Sequence, residues 1–147
     1  MSAGRVLIWS SDAGFAAAVS DELRRRQIEA LRCSGLISVH PQPDLILADV
    51  DALPPTWWKS VAALRKRDGS LAVIIVGSAL PSFARLRAWR PRGYVRRPFR
   101  MEELIRVVQE VLRDVQALDR SAVDPDGPSL VARQDDQGES LAAENAA

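Results

Sequence analysis

The sequence predicts an α/β domain of the doubly wound kind, a five-stranded parallel sheet covered by helices on both faces. Three observations predict it. Five short runs are apolar at almost every position, the pattern of strands buried on both sides rather than on one. The segments between them carry apolar residues at helical spacing or enough chain for a crossover. The runs end in small polar or charged residues, which suits strand ends that open onto a shared crevice.

Residues 5–10 (RVLIWS) form the first strand and its turn. Asp12 precedes a stretch with Phe15, Val19 and Leu23 at i, i+4 and i+8, so it is placed to cap a helix that reaches about Gln27. Residues 28–33 make a weaker strand. Gly35, Pro41 and Pro43 then limit the following segment to about one helical turn. Residues 44–50 (DLILADV) are a buried strand; Pro54 and Pro55 break the chain before Thr56, which opens a helix with Trp57, Val61 and Leu64 on one side. Residues 71–76 (LAVIIV) are the most apolar strand, ending at Gly77 and Ser78, and residues 82–90 are a short arginine-rich helix stopped by Pro91. Residues 93–96 form a brief last strand before Pro98. The closing helix runs from Met101 to about Leu118, with Leu104, Val108, Val111 and Val115 on its inner face. In such a sheet Ser10, Ser11, Asp49, Ser78 and Arg97 fall at the strand ends and are expected to meet in one crevice.

The 147 residues fit one domain, residues 1–118, followed by a tail, residues 119–147. The net charge of +1 hides a contrast: the domain has 18 basic and 12 acidic residues, the tail 2 basic and 7 acidic. The tail has no apolar periodicity and is expected to be disordered. No apolar run approaches the roughly 20 residues of a membrane span, and the amino-terminal apolar run is too short for a secretory signal, so a soluble, cytoplasmic protein is expected. The single cysteine, Cys33, excludes an intramolecular disulfide and a cysteine-built zinc site; it is expected to be a buried small apolar residue. The single histidine, His40, has no nucleophile beside it in sequence, and no catalytic residue is assigned.

VLIWSSD, PDLILAD, VIIVGSA and GYVRRPF occur in the order and near the spacing of the motifs of CheY-like receiver domains of two-component response regulators, which residues 4–118 resemble. The resemblance implies a flavodoxin-like strand order, 2-1-3-4-5, with a second helix about four residues shorter than the family's. It also implies roles. Asp49 matches the phosphoacceptor, Ser78 the switch hydroxyl and Tyr94 the switch aromatic. The departures are equally specific. Ser10 and Ser11 stand where the family has a pair of metal-binding acids, and Arg97 stands where it has a lysine.

Phosphoryl transfer to a carboxylate depends on neutralising the phosphoryl oxygens, usually with a metal ion and a cation. Replacing two acids by neutral serines removes the charge that offsets dehydration of Mg²⁺. The expectation is therefore a degenerate receiver, a pseudo-receiver without metal or other cofactor. Mg²⁺ returns only if Asp12 or Asp51 compensates; the alternative is that Asp12 caps its helix and Asp51 is a solvated loop acid. For Arg97, one reading is a two-pronged clamp on Asp49, and the other an outward turn into water.

Residues 85–100 (RLRAWRPRGYVRRPFR) hold seven arginines interleaved with Trp89, Tyr94 and Phe99. In the family this stretch contributes to the usual partner and dimer face, formed by the fourth helix, fifth strand and fifth helix. Arg85, Arg87, Trp89, Arg90, Arg92, Tyr94, Arg96 and Arg100 are accordingly the expected partner face. A protein partner or a homodimer is one reading, a solvated basic face a second, and nucleic acid a third. No helix-turn-helix or similar module accompanies the arginines, which weighs against nucleic acid. Of Trp57 and Trp58, one is expected to pack inward and the other to stay partly exposed. The function expected is that of a non-enzymatic, single-domain signalling protein acting through protein contacts. A phosphorelay receiver phosphorylated on Asp49 is the alternative.

Overall fold

Five parallel strands form one sheet: β1 (Arg5–Trp9), β2 (Glu29–Cys33), β3 (Leu45–Asp49), β4 (Ala72–Gly77) and β5 (Gly93–Arg96), in the order β2-β1-β3-β4-β5. The computed structural model describes residues 4–34 and 42–122. Among the described residues four helices cover the sheet: α1 (Ala13–Arg25), α2 (Trp57–Arg67), α3 (Phe83–Trp89) and α4 (Met101–Ala122). A 3-10 turn, Val50–Ala52, follows β3 directly. The topology is the predicted one, a central pair of strands with crossovers to either side. The shortened second helix, His40 and the chain from residue 123 onward lie outside the described residues.

Period-two alternation divides the core into two layers. Val6 and Ile8 of β1, Leu45 and Leu47 of β3 and Ile74 and Val76 of β4 face Val19 and Leu23 of α1 and Leu104, Ile105, Val108 and Leu112 of α4. The alternate residues Leu7, Trp9, Ile46, Ala48, Val73 and Ile75 face Trp57, Val61 and Leu64 of α2 and Trp89 of α3. A strand with apolar residues on both parities can only sit between two layers, which is why these runs read as continuous. Each fully buried Leu, Ile or Val contributes about 1.5–3 kcal/mol by leaving water.

The helix ends follow local chemistry. Asp12 accepts a hydrogen bond from the Phe15 N–H at 3.1 Å and caps α1. Ser82 does the same for α3 through the Arg85 N–H at 3.2 Å. At the start of α4, Glu103 reaches back to the Arg100 N–H at 2.8 Å. α3 ends at Arg90, which takes a left-handed conformation with φ of 47°. Arg65 of α2 donates to the carbonyls of Leu71, Trp89 and Arg90, so a side chain supplies donors at the end of this short helix. Burial and the nearby Arg90 charge both hold the Arg65 pKa below its usual value.

Two expectations need correction. α4 continues to Ala122 rather than ending near Leu118. Cys33 is half-buried, because β2 is the edge strand and its outer residues are only partly covered. As expected, Trp57 is buried and Trp58 half-buried. No described helix is long and apolar enough to cross a membrane.

Candidate functional site

β3 is central in the sheet and covered on both faces, so the side chain at its end is taken almost wholly out of water. That residue is Asp49, 1% exposed. A carboxylate in such a place requires compensation by hydrogen bonds and opposite charge. Two side chains supply it. Ser10, at the end of neighbouring β1, donates its hydroxyl to Asp49 Oδ2 at 2.7 Å. Arg97, just past β5, donates from Nη1 to Asp49 Oδ1 at 2.9 Å. The Ser10 oxygen also accepts the Asp12 N–H at 3.0 Å, so this one hydroxyl both supports the carboxylate and shapes the entry to α1.

The same Nη1 of Arg97 lies 3.0 Å from Asp51 Oδ2. Asp51 sits on the 3-10 turn after β3. Its Oδ1 accepts the Ser78 N–H at 3.1 Å, and its Oδ2 accepts the Ser78 hydroxyl at 2.6 Å. Glycine at position 77 permits this approach, since a Cβ there would come within 2.8 Å of the Val50 side chain. The hydrogen bond from the Ser78 side chain is the leading cause that holds the Asp51 carboxyl below its usual range; burial opposes it, and the Arg97 charge adds to it. For Arg97, burial works against the charge, but Asp49 and then Asp51 outweigh it and raise its pKa.

Arg97 is positioned from several directions. Its backbone N–H donates to the Gly77 carbonyl at 2.9 Å. Its guanidinium carbon lies 4.9 Å from the centre of the Phe15 ring and 5.8 Å from that of Phe99. The two rings meet edge to face at 6.3 Å, giving the planar cation an aromatic seat. Arg97 thus turns into the crevice. It does not clamp Asp49 with two parallel bonds, because Nη1 is shared between two carboxylates that lie two positions apart in the chain.

The structure brings Ser10, Asp49 and Arg97 into direct contact and links Ser78 to them through Asp51. Ser11 stands to one side, its hydroxyl donating to the Ala52 carbonyl at 2.6 Å and tying the α1 entry to the 3-10 turn. Asp12 is occupied as a helix cap. Asp51, read from sequence as either a metal-site substitute or a solvated loop acid, is an exposed acid on the turn and also the acceptor that joins Ser78 to Arg97. The Tyr94 hydroxyl is buried without a hydrogen-bond partner among the described residues, and its ring packs on the layer with Trp57 and Trp89. Phe15 was expected only as a core residue of α1. An aromatic facing a site arginine was visible in the sequence but not its pairing, since 82 positions separate Phe15 from Arg97.

Within the arginine-rich stretch, Trp89 is not part of the exposed face expected. Trp89 is buried against Trp57, with ring centres 4.9 Å apart, because it falls three residues after Leu86 on the inward side of α3. Arg85 and Arg90 border the gap between α3 and α2. Arg96 reaches the Ser78 carbonyl at 3.3 Å, and Arg92 approaches Asp114 of α4 at 4.0 Å. Arg87 and Arg100 are exposed.

The residues present do not fit Mg²⁺. The positions of the family's acid pair hold neutral hydroxyls already engaged with Asp49 and Ala52, Asp12 faces its own helix, and a guanidinium nitrogen lies between the two remaining carboxylates. Among the described residues no group of three or more His, Cys, Asp or Glu side chains is arranged to hold a metal ion.

No protein-family model matches the chain, and no curated protein matches it by sequence. Solved structures do match. The chain is similar to the non-phosphorylated HemR receiver domain of Leptospira biflexa, with 15% identity, a TM-score of 0.65, and coverage of 74% of this chain and 94% of that one. It is similar to a CheY-like response regulator receiver domain protein of Methanospirillum hungatei, with 15% identity, a TM-score of 0.67, and coverage of 78% and 98%. It also matches NtrX of Brucella abortus, solved with ADP, at 16% identity and a TM-score of 0.67; the match covers 83% of this chain but spans only 29% of NtrX. The fold is that of the receiver domains of response regulators.

Proposed function

We propose that this chain, built on the receiver fold, is a cytoplasmic signalling module that acts by binding other proteins and does so without Mg²⁺-dependent phosphorylation of Asp49. The observation that carries this reading is the Arg97 nitrogen bonded to Asp49 and Asp51 at 2.9 and 3.0 Å. A covalently attached cation occupies the position between the carboxylates that a divalent ion would need. An ion competing for it must lose its hydration shell and displace a partner tethered to the same domain. A phosphoryl group on Asp49 would bring a charge of about −1.5 to −2 beside the ionised Asp51, with one guanidinium to balance both.

The exposed arginines around β5, including Arg92, Arg96 and Arg100, support a partner or homodimer face there. Incubation with Mg²⁺ and acetyl phosphate, followed by intact-mass measurement, tests the phosphorylation reading. The expected result is unmodified protein. A phosphoryl adduct that disappears in Asp49→Asn would overturn the proposal and favour a working phosphorelay receiver, which the buried Asp49 at the end of β3 and Ser78 just after β4 would then serve.

A further inference from the structure

Between α2 and α3 the second layer of the core is incompletely covered. α3 has only seven residues, and Ala84 and Ala88, four positions apart on one side of it, are too small to close the gap to α2. Two cavities result, of about 310 and 570 Å³. They share Trp57, Trp58, Ala88 and Trp89 in their walls and so form one trough. Its floor is aromatic: Trp57 and Trp89 meet edge to face, and Trp58 stands half-exposed beside them. At its open end Leu80 is 66% exposed, and neighbouring Phe83 is 75% exposed. Large apolar side chains so open to water, adjoining an aromatic trough, mark a contact surface rather than ordinary scatter.

The charges around the trough are of nearly one sign. Arg65, Lys66, Arg85 and Arg90 line it, whereas the acid lining it, Asp51, is already bonded to Ser78 and Arg97. Arg85 stands 6.0 Å from the Trp89 ring, placing cation and aromatic surface together.

We infer that the α2–α3 trough is a docking site for an acidic amphipathic helix of a partner protein. Apolar side chains on one face of such a helix enter the two joined cavities, as in helix-in-groove recognition, while its acidic residues meet Lys66, Arg85 and Arg90. Tryptophan floors and arginine rims are the residue types that dominate binding energy when buried by a partner. The inference rests on the reading of this chain as an interaction module and assigns it a second surface, apart from β5, with a chemically defined occupant.

The test uses the full chain and a synthetic amphipathic helical peptide of Glu, Ala and Leu, with a second peptide in which every Glu is Lys. Binding is followed through the indole N–H signals of Trp57, Trp58 and Trp89 in a nitrogen-15 correlation spectrum. The acidic peptide is expected to shift these indoles and to bind at least about tenfold more tightly than the basic one. Ala88→Gln, an exposed position that fills the trough without charge, and the pair Lys66→Glu with Arg85→Glu are each expected to weaken binding about tenfold. Thermal melts of the variants check that the fold is kept, and the charge-reversal pair alone suffices if Ala88→Gln does not fold. Equal affinity for both peptides, shifts confined to Arg92, Arg96 and Arg100, absence of binding, or self-association that Ala88→Gln disperses would each overturn the trough assignment. A phosphoryl adduct on Asp49 would leave that assignment standing and remove only the phosphate-independent reading.

Discussion

The crevice at the strand ends and the trough between α2 and α3 belong to one domain but are finished to different degrees. In the crevice, hydrogen bonds join Ser10 to Asp49, Arg97 to Asp49 and Asp51, and Ser78 to Asp51, all within the chain. In the trough, half-exposed Trp58 and the side chains of Leu80 and Phe83 are left to water. Directional bonds saturate: a carboxylate that holds its donors has little left to offer a newcomer. Apolar surface does not saturate in that sense, and every further square ångström withdrawn from water is favourable. A crevice completed by its own side chains therefore reads as a structural unit, and an unfinished apolar trough as the place for an outside partner.

Substitutions can break or sharpen this contrast. The largest effect is expected for Trp57→Ala, which empties the floor shared by trough and core and should cost about 4 kcal/mol in urea denaturation. A loss below about 1 kcal/mol would show that the floor is not part of the core. Next is Arg97→Ala, which leaves the buried Asp49 without its cation and should cost about 3 kcal/mol by the same measurement. Arg97→Lys should cost less, about 1 kcal/mol, since a point charge restores part of the attraction without the planar seat on Phe15 and Phe99. A neutral result for Arg97→Ala would mean that the ion pair is not what compensates Asp49.

The acid limb of stability offers a finer measurement. The Asp51 carboxyl is held below its ordinary value of 3.8 in the native state, so near that pH the unfolded state binds more protons than the native one. The resulting stability is fully present above the ordinary value and is lost as pH falls through the lower native one. Asp51→Asn should therefore flatten the fall of the melting temperature below about pH 4, and an unchanged slope would exclude Asp51 as a contributor. The smallest effects belong to the trough rim. Leu80→Ser and Phe83→Ser should each change stability by no more than about 0.5 kcal/mol, because neither side chain is buried in the free protein. A large loss would show that they serve the fold and not a partner.

The sheet was legible in the sequence because its signal is local. A run such as LILAD, apolar on both parities, has no stable place other than between two layers. The site was legible by position but not by bonding. Ser10 registered as the loss of a metal-binding charge, whereas its hydroxyl turns out to be a donor to Asp49. Asp51 looked like a loop acid, since Ser78 and Arg97, its partners, lie 27 and 46 positions away. Trp89 was grouped with the arginines by composition; the helical phase it shares with Leu86, three residues earlier, carried the information that it points inward. Pairings across the sheet depend on tertiary placement, which composition does not encode.

The Arg97–Asp49 contact spans 48 residues of chain. Within that interval the chain lays down the 3-10 turn, α2, β4, α3 and β5. Asp49 thus enters the interior with its principal counter-charge supplied from the far end of the fold. Until β5 is in place, the buried acid is balanced by Ser10 alone among the pair that supports it, so partially assembled chains carry an electrostatic penalty that the complete one does not. A bond of this reach couples two distant strands: the last one to be synthesised supplies the counter-charge of the central one, and folding should be slower and more all-or-none than the helices alone would require.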